Sequence, residues 1–114
     1  MSVKVESLAP TSGQLSINIQ LSATVNVTAF SARQKVTGFV ADEISTQMHA
    51  AEPTLIVGER ICWRVPVILS MPPTGDRGEV GTIDVDVETG QLQLTPTLVQ
   101  EIERRAEYLA LHSA

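Results

Sequence analysis

The stretch from Leu15 to Ala29 alternates for fifteen residues without a glycine, a proline or a charge. Odd positions are apolar or alanine (Leu15, Ile17, Ile19, Leu21, Ala23, Val25, Val27, Ala29), and even ones are polar and uncharged. A period of two is the signature of a β-strand with one buried face. At about 3.3 Å per residue the run would reach roughly 50 Å if straight, too long to lie comfortably across a domain of 114 residues. It must bend, return as a hairpin turning near Ser22-Ala23, or run past the domain and pair with another chain. No lysine guards its polar face against edge pairing. The stretch therefore predicts an interaction surface made of Ser16, Asn18, Gln20, Ser22, Thr24 and Asn26, on a bent strand that also contributes to a dimer.

The rest of the composition is that of one globular domain, with 43% hydrophobic residues and a net charge of -5. The second half carries most of the acid: residues 1–58 hold four acids and three bases, residues 59–114 nine acids and five bases. A chain with this balance lacks the basic stripe that drives phosphate binding, which argues against nucleic acid as a partner. One cysteine, Cys62, allows no intrachain disulfide and no multi-cysteine zinc site, in keeping with a reducing cytoplasm. No apolar run approaches a membrane span, and residues 1–10 do not read as an export signal.

Residues 1–13 read as a flexible leader and 14–114 as a single domain. Val36, Phe39, Val40, Ile44 and Met48 fall at helical spacing, with Ser31 and Gln34 as a capping box, which predicts a helix over 32–49. Gly38 within it implies either a close approach or a weakened helix. A short strand over 54–57 and a turn follow, then a clear strand with Ile61, Trp63, Val65, Val67 and Leu69 on one face. Pro66 places that strand at an edge, at a bulge, or unpaired on one side. Residues 71–78 read as a polar loop. A hairpin with strands 80–87 and 91–94 turns at Glu88-Thr89-Gly90, Gly90 supplying the left-handed conformation. Thr95 and Pro96 open a last helix with the seam Leu98, Val99, Ile102, Ala106 and Leu109, and Glu101 stands four residues before Arg105.

Few residues invite chemistry. Asp84, Asp86 and Glu88 share one strand face, where three carboxylates suggest a divalent cation or acid–base work; a solvated face with Arg64 opposite Asp84 explains them as well. Cys62 shares a face with Arg64, which lowers a thiol pKa, but neither histidine is near in sequence: His49 closes the first helix and His112 sits in the tail. Gly75, Gly78 and Gly81 match a phosphate-loop spacing, yet a strand follows where such a loop needs a helix N-terminus. Trp63 reads as a core anchor, with a partner-binding hot spot as the alternative.

Trp63-Arg64-Val65-Pro66-Val67 together with Gly81-Thr82-Ile83-Asp84-Val85-Asp86-Val87-Glu88-Thr89-Gly90-Gln91-Leu92 resembles the core of PepSY-type domains over residues 32–94. In that family a helix precedes a tryptophan-bearing strand and a strand ending V-D-x-x-T-G, and the resemblance implies an inhibitory or binding module without catalysis. The pattern that includes residues 53–60 also resembles short bacterial proteins, some encoded beside PIN-type nuclease toxins, which implies an antitoxin-like role.

These readings converge on an α+β domain: a mostly antiparallel sheet of four to five strands, two helices on one face, order β-α-β-β-β-β-α. The expected function is a non-catalytic protein-binding or oligomer-forming module whose partner is itself or another protein, without cofactor or membrane. An antitoxin-like partner of a PIN-type nuclease and a small metal-dependent hydrolase are the alternatives.

Overall fold

A computed structural model of the chain describes residues 2–5, 24–72 and 75–112. The sheet is organised around the strand that carries the tryptophan. Alternation in Ile61–Met71 buries Trp63, Val65, Val67 and Leu69 and leaves Cys62, Arg64, Pro66, Ile68 and Ser70 partly buried on the opposite face. In chain order the elements are β1 (Ser2–Val5), α1 (Ala29–Glu43), β2 (Met48–Ala50), β3 (Thr54–Val57), β4 (Ile61–Met71), β5 (Gly75–Asp86), β6 (Leu92–Gln93) and α2 (Pro96–His112). Spatially the sheet runs β1-β3-β4-β5-β6, with β2 beside the far half of β4. All pairings are antiparallel except β1 with β3. The fold is α+β as expected, with one strand more.

Both helices lie on the face that carries Trp63. Ala32, Val36 and Val40 of α1 and Ile102 of α2 join one cluster with Val65, Val67, Ile83 and Val85. Each of these valine and isoleucine side chains contributes on the order of 1.5–3 kcal/mol when fully buried. Pro66 sits inside this central strand because its missing donor faces a gap. Its carbonyl accepts from the Ala51 N–H, so its nitrogen points to the same side, where the chain passes from β2 to β3.

Several boundaries differ from the sequence reading. The alternating run is not a strand where it is described: Val25 is 53% exposed and Val27 7%, and the chain from Thr24 to Thr28 is irregular. Of the expected interaction surface, Ser16, Asn18, Gln20 and Ser22 lie outside the described residues. Thr28, not Ser31, caps α1, its hydroxyl accepting from the Ser31 N–H. The helix also stops at Glu43, short of His49. Met48 satisfies a helical and a strand period alike, and the far half of β4 claims it: Met48, His49 and Ala50 pair with Leu69, Ile68 and Val67. The Ala50 N–H donates to the Thr37 hydroxyl and its carbonyl accepts from Arg33 Nε, so α1 holds the outer side of this short strand. Nothing lies within 4 Å of a methyl added at Gly38, which leaves the weakened helix as the correct alternative. Ser2–Val5, within the expected leader, pair in parallel with Thr54–Val57. Finally, residues 75–78 are strand rather than loop: Asp76 stands opposite Ser70 and Gly78 opposite Leu69, with two register shifts that bulge β5 at Arg77 and Val80. Gly78, at φ 142, takes the conformation that this irregularity demands.

Candidate functional site

The three acids of the second hairpin do not converge. Asp84 is held by Arg64 through two parallel contacts, Nε to Oδ1 at 3.0 Å and Nη2 to Oδ2 at 3.1 Å, the cross-strand pairing that the sequence suggested. Asp86 turns back into its own loop, Oδ1 accepting from the N–H groups of Glu88 and Thr89. Glu88 is exposed, and its carbonyl oxygen accepts from the Asn26 side chain. Among the described residues no three His, Cys, Asp or Glu side chains stand where they could hold a metal ion.

The turn that Asp86 braces closes at Gly90, at φ 75 as expected. The Thr89 amide first, then that of Glu88, holds the Asp86 carboxyl below its ordinary value of 3.8. The unfolded chain thus takes up the proton at higher pH than the folded one. Stabilisation by this group is complete above the ordinary value and is lost as pH falls through the lower folded one. The stability difference between wild type and Asp86→Asn, read from urea titrations, should be constant from about pH 7 to about pH 5 and shrink below about pH 4. A difference that stays constant would show that the turn draws nothing from the charge.

Cys62 is partly buried opposite Ile56 and Asp86. His49 lies beside Ile68, six residues along β4 and so about 20 Å away, and His112 stacks on Tyr108 in the last turn of α2 rather than in a loose tail. Neither histidine is positioned to activate the thiol. Trp63 is the core anchor, 4% exposed, its indole donating to the Val27 carbonyl at 2.7 Å.

One cluster escaped the sequence reading. His49, Ser70 and Asp76 meet where β2, β4 and β5 lie side by side: Ser70 Oγ donates to Asp76 and lies 3.3 Å from His49 Nδ1, and His49 Nε2 is 3.9 Å from Asp76. The residue types are those of a nucleophilic triad, but the order is wrong. The serine proton goes to the carboxylate, and the histidine that would have to accept it is left to donate. With side chains 39% and 66% exposed for His49 and Asp76, the cluster is a polar staple across three strands. Reading residues 71–78 as a tight hairpin would have brought Ser70 and Asp76 together.

A cleft of about 840 Å³ opens between β5 and α2. Its floor contains Gly78 and Gly81; Leu98, Ile102 and Leu109 form its apolar wall, and Glu79, Glu101, Arg104, Arg105 and Tyr108 also line it. A Cβ built on Gly81 would meet Ile102, and one on Gly78 would meet Leu109, so the helix runs antiparallel to the strand along the cleft. Thr95 sets where the helix begins, its hydroxyl accepting from the Leu98 N–H as the sequence predicted. Gly78 to Thr82 spans about 13 Å and Leu98 to Leu109 about 16 Å, so the helix wall runs the full length of the strand wall.

Among the described residues the edge of β5 beside this cleft is open. β6 covers only Asp84 and Val85. Backbone groups of even-numbered β4 residues point toward β2 and β3, as the bonds Ala51 N–H to Pro66 and Ser70 N–H to Gln47 establish. Residues opposite them in an antiparallel pair point the other way. Thr82, opposite Pro66, and Glu79, opposite Ile68, therefore present their N–H and C=O outward, in the sense already used by the Asp86 N–H toward Gln91. Among the described residues no strand takes them up. This edge was not visible in the sequence, because it exists only where β6 stops.

No protein-family model matches the chain, and no curated protein or solved structure matches it. No described helix is long and apolar enough to cross a membrane.

Proposed function

We propose that the protein is a non-catalytic protein-binding module that takes an extended segment of a partner into the cleft between β5 and α2 by strand addition. The observation that carries this reading is the edge at Glu79 and Thr82, which no described strand takes up, lying along a cleft with an apolar wall. Backbone bonds to an exposed edge give such sites their affinity, and pockets for alternate side chains give specificity. A cleft of this length holds about five residues in extended form. Asn26, part of the expected surface on the alternating run, is instead bonded to Val87 and Glu88.

Thr82→Pro tests the reading. Its N–H makes no bond to β4, so proline removes a donor from the open edge without breaking the existing ladder. Random decapeptides displayed on phage and panned on the immobilised full chain should converge on alternating apolar sequences, and Thr82→Pro should lose their retention while its thermal unfolding stays cooperative. In the wild type, binding of an enriched peptide should slow hydrogen exchange at the Glu79 and Thr82 amides. Unchanged exchange at both amides, or peptides retained equally by Thr82→Pro, would overturn strand addition.

A further inference from the structure

We infer that the segment bound in this cleft belongs to a different chain and carries a carboxylate on its helix-facing side; the inference rests on the strand-addition reading above. Side chains of a strand added to β5 alternate as those of β5 do. Those beside Gly78 and Gly81 face α2, which sits directly over the two glycines through Ile102 and Leu109 and whose partly exposed Leu98 and Leu109 offer apolar contact. Arg104 and Arg105 stand on the same helix, both exposed, and among the described residues neither takes part in an ion pair. The expected pairing of Arg105 with Glu101 does not form. Two guanidinium groups beside an apolar wall select a carboxylate, because the planar fork binds both of its oxygens at once. Glu79 lines the cleft, but its register opposite Ile68 assigns its side chain to the other face of the sheet.

The same register disfavours the β5 edge of a second copy as the occupant. Asp76, opposite Ser70, also points its backbone outward. Two β5 edges can therefore exchange backbone bonds by setting Asp76 against Thr82 and Glu79 against Glu79. That arrangement opposes two like charges at its centre, which destabilises an antiparallel pair. The bulges at Arg77 and Val80 add to the protection.

Arg104→Glu/Arg105→Glu, panned with the same decapeptide library, separates the possibilities. On wild type, Asp or Glu should alternate with the apolar positions of the enriched peptides. On the double variant Lys or Arg should take those places, and the best wild-type peptide should bind at least about tenfold more weakly. Its own Asp→Asn or Glu→Gln form should show no such difference between the two proteins. Peptides that Thr82→Pro loses but the charge-reversed variant keeps would overturn the carboxylate and leave strand addition standing. Peptides that neither variant loses would overturn both. Light scattering should give a monomer across the micromolar range, and a dimer that Thr82→Pro abolishes would overturn the assignment to a foreign chain.

Discussion

Replacing Trp63 with alanine is expected to cost about 3–5 kcal/mol, a large share of the 5–15 kcal/mol by which a domain of this kind is usually stable. The side chain is 4% exposed within the cluster that joins α1 to β4 and β5. Its indole also donates to the Val27 carbonyl, one residue before the Thr28 cap of α1. The Asn26 and Val27 N–H groups donate to Val87, at the end of the hairpin. Trp63 thus ties the entry of the first helix to the middle of the sheet. Trp63→Phe keeps much of the apolar body and strands the carbonyl, so it should cost about 1–3 kcal/mol. Urea midpoints at unchanged slope would give both values. If phenylalanine proved neutral, the indole bond would contribute nothing to docking α1.

The parts of this fold that were legible before the structure are those that local rules decide. Thr95-Pro96 marks the start of α2, and Ile102 is buried on the seam that the spacing indicates. The alternation around Trp63 gives β4 nearly to the residue, and Gly90 gives its turn. What was not legible depends on who stands beside whom. Met48 fits a helix as well as a strand, and only the unpaired half of β4 resolves the ambiguity. Residues 75–78 have the composition of a loop but inherit strand geometry from Leu69 and Ser70 across the hairpin. Val25 and Val27 share a phase in the sequence, yet bonds to Val87 and Trp63 hold the chain where one is exposed and the other buried. Of the candidate residues, only the Arg64–Asp84 contact follows from register alone. The cleft needs α2 to be placed over β5, which no local pattern specifies.

That placement rests on one side chain. Ile102 is the only residue of α2 that is buried outright, and its Cγ1 would lie 2.8 Å from a Cβ added at Gly81. Leu98, Ala106 and Leu109 are partly buried beside the core. Ile102→Ala should therefore cost about 2–5 kcal/mol, and hydrogen-exchange protection over residues 96–112 should fall before that of the central strands, because little else holds the helix down. Gly81→Ala should cost about 1–3 kcal/mol although alanine suits a strand better than glycine, since the new methyl must push the isoleucine, and α2 with it, away from the sheet. Combined, the two changes should cost less than their sum by about 1 kcal/mol or more, because the methyl at position 81 enters space that the shortened side chain at position 102 vacates. Denaturant titrations of the four proteins in this cycle measure the coupling directly. Strict additivity would mean that α2 is held by its partly buried neighbours instead, and the cleft wall would then belong to the whole helix seam rather than to a single contact over Gly81.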